Sequence, residues 1–234
     1  MPFSLIIPLA ADNKTYETQM PYVFSLDKDG MMLCVKSISG INLDAFDKIY
    51  FTILASHDKQ YYISPMLKFQ LDRLGLHKAD IVVLKNSTNC QAETIFRTIQ
   101  EKNIQGCMFV KDGDGYFKAH VEPQNSIAIY PLEKMDLINP KNKSYVAVDD
   151  NFYITNIIEK KVVSHYFNAG GYCFEDANEF CSHYLQTLHF GEKPYLSHVI
   201  FSMLLNKSLF RPIPVDDFID WGDSNAYNIY QHHK

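Results

Sequence analysis

GCMFVKDGDGYF, residues 106–117, is the stretch on which the fold turns. Its first half is an unbroken apolar run, the pattern of a strand covered on both faces. The run ends at Lys111, and two carboxylates follow at i and i+2, Asp112 and Asp114, each succeeded by a glycine. Strands buried on both faces belong to parallel sheets flanked by helices. Ligands of such sheets sit beyond the carboxyl ends of the strands. Two carboxylates at that place, beside glycines that admit close approach, suit a hard divalent cation. Such a cation takes oxygen ligands from one or two carboxylates plus phosphates. Asp-Gly is also a common turn dipeptide, so a plain turn is the competing reading.

Outward from this strand the same alternation repeats. Short apolar runs predict strands at 5–11, 48–55 (KIYFTILA), 81–85 (IVVLK), 126–132 (SIAIYPL) and 144–148 (SYVAV). Helical spacing of apolar residues predicts helices over 61–74, 90–102, 177–188 and 195–205. Strand and helix in repetition predict an α/β fold, a mostly parallel mixed sheet with helices on both faces. From about residue 141 the pattern loosens into hairpin-like pieces near Asp149 and Asp150. No composition shift marks a linker, so the chain reads as one domain over 1–234.

Composition narrows the function classes. An apolar fraction of 47%, with 16 Phe and 15 Tyr, is enough for a substantial core. With 22 basic and 27 acidic residues the formal charge is −5 and no basic block stands out, which argues against a nucleic-acid partner. The five cysteines form no C-x-x-C pair, so neither a zinc knuckle nor a redox pair is expected. The opening MPFSLIIPLAA lacks a basic lead, and no run reaches the ~18 apolar residues of a membrane span. A cytoplasmic protein without a membrane span is expected, and a homo-oligomer is left open.

Four further features can carry chemistry, each with a plainer alternative. Asp220-Trp221-Gly222-Asp223 holds the only tryptophan, and Asp220 can join a metal site or belong to a solvated acidic loop. In the stretch 88–94 (TNCQAET), Thr88 or Asn89 can cap a helix with Glu93 in its first turn, while Gln91 can read a base edge. Glu159-Lys160 follows an apolar pair, and the lysine can hold a phosphate as a point charge or lie in an exposed loop. Asn168-Ala169-Gly170-Gly171 is either a close backbone approach to a ligand or a simple turn. His57 follows the second predicted strand, where it can approach a ligand, and is read as a surface or core-edge histidine.

The pieces also occur in a suggestive order: IIPLAA (6–11), MPYVFSLDKDGMM (20–32), TNCQAETIFRTI (88–99), GCMFVKDGDGYF (106–117), SYVAVDDNFYITNIIEK (144–160), NAGGYCFEDANEFC (168–181) and DWGD (220–223). In this order they resemble the sugar-phosphate nucleotidyltransferase family, whose nucleotide-binding half is shared with the GT-A glycosyltransferases. The likeness is greatest to the branch found in bacterial capsule and surface-glycan loci. The resemblance implies a Rossmann-like three-layer α/β/α fold with a nucleotide-binding half at 1–140 and an acceptor half at 141–234. It implies transfer of a nucleotidyl group from a nucleoside triphosphate to a small phosphorylated acceptor for surface polysaccharide synthesis, with Mg2+ or Mn2+ as cofactor and a pyrimidine base favoured. By position, Asp114 and Asp220 match the metal aspartates. Leu9, Ala10, Ala11, Gln91 and Asp112 match the nucleotide contacts, and Glu159, Asn168 and Gly171 match the sugar or acceptor contacts. Lys160 matches the catalytic lysine beside the sugar phosphate.

The first loop departs from that pattern. Where the family has a glycine-rich segment with an arginine, residues 11–17 read ADNKTYE. Lys14 can substitute as a cation but not as a bidentate guanidinium. The family's lysine before proline is Met20, and Asp223 stands where the branch has threonine. Two alternatives therefore stay open: a GT-A-like metal-dependent glycosyltransferase using a nucleotide sugar, and a non-catalytic domain that binds nucleotide or sugar phosphate.

Overall fold

The computed structural model describes residues 1–10, 20–135, 143–190, 193–222, 226–228 and 230. The sheet is built around β1 (Phe3–Leu9), all seven residues of which are buried. Its side chains alternate between two cores, as a period of two requires. Phe3, Leu5, Ile7 and Leu9 enter one, and Ile6 enters the other. The first core is closed by α1 (Leu33–Lys36) and α3 (Ile63–Arg73), which contribute Cys34, Val35, Ile63, Leu67 and Leu71. The second is closed by α4 (Gln91–Lys102), α5 (Ala177–Thr187) and α6 (Leu196–Leu205), through Ile95, Ile99, Phe180, Val199 and Met203. Each such side chain contributes about 1.5–3 kcal/mol of transfer free energy. The result is a three-layer arrangement with helices on both faces of the sheet.

Around β1 the strands are parallel: β2 (Lys48–Leu54) and β4 (Cys107–Lys111) pair with it, and β3 (Ala79–Leu84) pairs with β2. A short helix, α2 (Ala55–Tyr61), follows β2 without a break. The apolar runs at 48–55, 81–85 and 106–111 thus fall on this block, as does 5–11 over its residues up to Leu9, with Ala11 outside the described residues. Beyond β4 the sheet turns mixed. The order is β10-β6-β9-β4-β1-β2-β3, with β6 at Ser126–Pro131, β9 at Tyr166–Phe174 and β10 at Arg211–Pro214. β9 runs antiparallel to both β4 and β6. The hairpin expected near Asp149 is β7 (Ser144–Val148) with β8 (Ile154–Glu159), and β7 also pairs with β9. A separate two-stranded sheet joins β5 (Gly115–Lys118) to β11 (Asp216–Asp220).

Two local expectations are corrected. Asn168–Gly171 is no turn; it lies inside the nine-residue β9, where its glycines serve close packing. Neither Thr88 nor Asn89 caps α4. Its N-cap is Cys90, which makes no side-chain cap bond; instead the Glu93 carboxylate reaches back and accepts from the Asn89 backbone N–H at 2.7 Å. The Thr88 hydroxyl is engaged with Thr94 at 2.6 Å. No helix among the described residues is long and apolar enough to cross a membrane.

Candidate active site

The carboxyl ends of β1 and β4 open into a cleft of about 670 Å³. Leu9 lines it from β1, Asp112, Gly113 and Asp114 from the loop after β4, and Gln91 from the first turn of α4. Because β9 runs the other way, its early residues Asn168, Ala169 and Gly170 reach the same end. The opposite wall carries Lys143, Ser144, Glu159, Lys160, Tyr195 and Ser197, and β11 brings Asp220 and Trp221.

Asp114 and Asp220, far apart in sequence, meet here. Gly115 opens β5 directly after Asp114 and pairs with Asp220, the last residue of β11. The Trp221 backbone N–H then donates to the Asp114 carbonyl at 2.7 Å. A methyl group built on Gly222 would lie 3.1 Å from Asp220 Oδ1 and 3.2 Å from Asp114 Oδ2, so the two carboxylate oxygens flank one small space. Lys143 Nζ holds the other oxygen of Asp220 at 2.6 Å. Asp114 has its carboxyl held above the usual range, first by poor solvation at the base of the cleft and then by the Asp220 charge, with Lys143 and Lys111 opposing. Asp112 is pushed up to about 6, by desolvation first and by Asp114 second.

Among the described residues no group of three Asp, Glu, His or Cys side chains is placed to cage a metal. Asp114 and Asp220 offer carboxylate oxygens that could hold a hard divalent cation, a kind of ion that keeps positions for water and phosphate.

Asp112 faces Gln91 rather than that space. The Gln91 side-chain nitrogen donates to Asp112 Oδ1. A carboxylate accepts only from the nitrogen, so this bond fixes the amide's flip and turns its carbonyl the other way. The Asp112 backbone N–H donates to the Gly170 carbonyl at 2.9 Å. Gly170 has φ +82°, and a Cβ there would stand 2.7 Å from Asp112 Oδ2.

On the far wall, Glu159 Oε2 accepts from Ser144 Oγ at 2.5 Å and Ser197 Oγ at 2.8 Å. Lys160, with φ +57°, donates to the Tyr195 hydroxyl at 2.7 Å and lies over its ring. Asn168 Oδ1 accepts from the Gly170 backbone N–H.

Of the residues singled out in the sequence, Leu9, Gln91, Asp112, Asp114, Glu159, Lys160, Asn168 and Asp220 line one cleft. Ala10 is fully buried behind it, among Leu54, Val82 and Leu84. Gly171 faces away into the core, where a Cβ would meet Phe117, Phe109 and Ala128 within 2.9 Å; the glycine at the cleft is Gly170. Met20 packs against the first core. Ala11, Lys14 and Asp223 lie outside the described residues. His57 lines the cleft and meets the Phe24 ring edge-on.

Several cleft residues escape the sequence reading. Lys143 looks like part of a polar loop and carries no local signal. Lys111, which is wholly buried and does not line the cleft, has one: a lysine that ends a strand buried at every position. Its ammonium donates to the Asp112 and Gly115 carbonyls, both at 2.8 Å, and lies 4.5 Å from the Phe117 ring centre. Burial pulls its pKa down to about 8 against the pull of Asp112 and Asp114. Ser144 and Ser197 become visible only once β7 and α6 are seen to flank Glu159.

No protein-family model matches the chain, and no curated protein matches it. Among solved structures it resembles a nucleoside-diphosphate-sugar pyrophosphorylase from Vibrio cholerae RC9, with TM-score 0.73 and 16% identity over 97% of this chain and 99% of that one. It resembles the inositol-1-phosphate CTP transferase from T. maritima, with TM-score 0.71 and 16% identity over 98% and 95%. A UDP-glucose pyrophosphorylase complexed with UDP-glucose gives TM-score 0.73 and 12% identity over 100% and 98%. At such identities the likeness is one of fold.

Proposed function

We propose that this cleft transfers a nucleotidyl group from a nucleoside triphosphate to the phosphate of a sugar phosphate or similar small phosphorylated alcohol. The observation that carries the reading is the meeting of Asp114 and Asp220 across one small space at the carboxyl end of β4. The fold shared with two pyrophosphorylases and a CTP transferase supports it.

In the proposed reaction an oxygen of the acceptor phosphate attacks the α-phosphorus. The bond from that phosphorus to the β-phosphate bridging oxygen breaks, and pyrophosphate leaves with the electron pair. Such chemistry needs alignment and charge neutralisation rather than a covalent enzyme intermediate. Asp114 and Asp220 would hold Mg2+ or Mn2+, which when bound supplies Lewis-acid charge at the phosphoryl oxygens. Lys160 is the cation for the acceptor phosphate. Both serine bonds fall on one oxygen of Glu159, which leaves the other for acceptor hydroxyls. Gln91, its nitrogen held by Asp112, presents its carbonyl to a base N–H. Every base has a donor on its pairing edge, so this contact orients the base, and a pyrimidine is favoured by the sequence resemblance alone.

The test is release of pyrophosphate from each nucleoside triphosphate, with a panel of sugar 1-phosphates and Mg2+. We expect turnover with a matched pair, none in excess chelator, and a loss of about 10²–10³-fold in Asp114→Ala or Asp220→Ala, comparable to removing one transition-state charge partner. Undiminished turnover in Asp114→Ala would remove this mechanism. Hydrolysis of nucleotide sugars with no triphosphate turnover would point to glycosyl transfer instead.

A further inference from the structure

Lys143 and Asp220, both lining the cleft, form an ion pair. Lys143 stands just before β7, and its Nζ lies 2.6 Å from Asp220 Oδ2, the two side chains being 18% and 22% exposed. It approaches the faces of Phe167 and Phe218, with centroids at 5.9 and 5.5 Å. Its carbonyl accepts the Lys160 backbone N–H at 2.9 Å, tying it to the Glu159–Lys160 corner. One ammonium therefore sits between the carboxylate pair and the acceptor wall, on a long flexible stem. Met20, in the described stretch that opens at residue 20, packs on the apolar core and offers no charge.

Resting on the proposed nucleotidyl transfer, we infer that Lys143 is an internal cation that occupies Asp220 until a divalent ion is bound, then turns to the phosphates. Two facts lead there. Asp220 Oδ1 accepts from the Gly222 backbone N–H at 2.9 Å, on the side where Asp114 Oδ2 also lies, and its other oxygen is on Lys143. An ammonium and a divalent cation that share one carboxylate repel each other. Binding of the ion therefore weakens the pair, and the released ammonium is placed beside the phosphate-bearing part of the cleft.

The inference makes the same substitution act with opposite sign on two ligands. Mn2+ alone is titrated by calorimetry and by quenching of Trp221, the only tryptophan in the chain and the neighbour of Asp220. Inorganic pyrophosphate is then titrated at saturating Mn2+. Relative to wild type, Lys143→Met should bind Mn2+ alone about tenfold more tightly, because it loses a competing cation, a change of about 1.4 kcal/mol. It should bind pyrophosphate about tenfold more weakly, because it loses a phosphate partner. Lys143→Arg should restore pyrophosphate binding toward wild type. A lysine that merely braces the structure would weaken both ligands together. Equal or weaker Mn2+ binding in Lys143→Met, or unchanged pyrophosphate binding, would overturn the inference. If Lys143→Met does not fold, Lys143→Gln is read in the same way. Failure of nucleotidyl transfer is seen separately, as absence of pyrophosphate release by the wild type with every triphosphate. The two binding titrations involve no turnover.

Discussion

Lys111 offers a sharp test, because its charge is buried and its partners are known. The side chain is wholly inaccessible, with two backbone carbonyls and the Phe117 face as near neighbours. Its pKa is lowered from 10.5 to about 8, so the folded chain releases this proton more readily than the unfolded one. Between pH 8 and 10.5 the unfolded state therefore binds more protons, and stability rises with pH across that window. At 1.36 kcal/mol per unit, the whole shift corresponds to about 3 kcal/mol. About 2 kcal/mol of it falls between pH 7.5 and 9.5.

The perturbation is Lys111→Met, close in volume and without charge. It leaves the Asp112 and Gly115 carbonyls unpaired, a cost of about 1–3 kcal/mol each that does not vary with pH. Urea unfolding of both proteins at pH 7.5 and 9.5, without metal, separates the two contributions. The stability difference between wild type and variant should move by about 2 kcal/mol in favour of the wild type at the higher pH. Taking the difference cancels groups that titrate alike in both proteins. A difference constant within about 0.5 kcal/mol, the usual scatter for independent sites, would refute the claim that this ammonium is held against burial.

Other perturbations give further checks. Gly170→Ala combines a φ of +82° with a methyl 2.7 Å from an Asp112 oxygen whose partner Asp112 Oδ1 is held by Gln91, so we expect a loss of about 1–3 kcal/mol by thermal denaturation, together with weaker nucleotide binding. Gly171→Ala crowds Phe117 and Phe109 instead; it should lower stability by a similar ~1–3 kcal/mol while the folded fraction keeps its nucleotide affinity, which calorimetry can show. Glu159→Ala should raise KM for the phosphorylated acceptor about 10–100-fold with KM for the triphosphate little changed, as expected for one lost charged hydrogen bond. Steady-state kinetics with each substrate varied in turn separates the two.

The parallel block was legible because burial on both faces leaves a signature in the residues themselves. IIPLAA and GCMFVK are apolar runs with no polar face, and the cleft opens at the ends of β1 and β4; IVVLK belongs to the edge strand β3, where Val83 is 42% exposed. The helices were legible for the same reason at a different period, as with Ala92, Ile95 and Ile99 on α4. β9 was not. Its central Asn168, Gly170 and Gly171 look like turn residues, yet they lie between β4 and β6 where a larger residue would strike Asp112, Phe117 or Phe109. Cβ-free positions required by neighbours distant in sequence cannot be told locally from turn glycines. Lys143 illustrates the same limit for charge: a lysine in a polar stretch is indistinguishable from a solvated one until its partner on β11 is known.

That partner is set by strand register rather than by any motif. β5 begins at Gly115, immediately after Asp114, and β11 ends at Asp220, opposite Gly115. The antiparallel pairing thus delivers the last residue of one strand beside the turn that precedes the other. Because side chains alternate, a slip of one residue would turn Asp220 away from Asp114. The pairing tolerates an irregularity between Asp216 and Ile219, with Asp217 at φ +53°, and regains register before the carboxylate. The Trp221 N–H to the Asp114 carbonyl then closes the end of the pair. Trp221, 1% exposed and set edge-on to Tyr230, anchors the segment on the protein side. Two carboxylates that repel each other are therefore held together by backbone pairing and an aromatic anchor, with Lys143 as the neutralising charge. Removing the positive charge should disturb the electrostatics of the pair while leaving its geometry, whereas disturbing β11 should lose both at once.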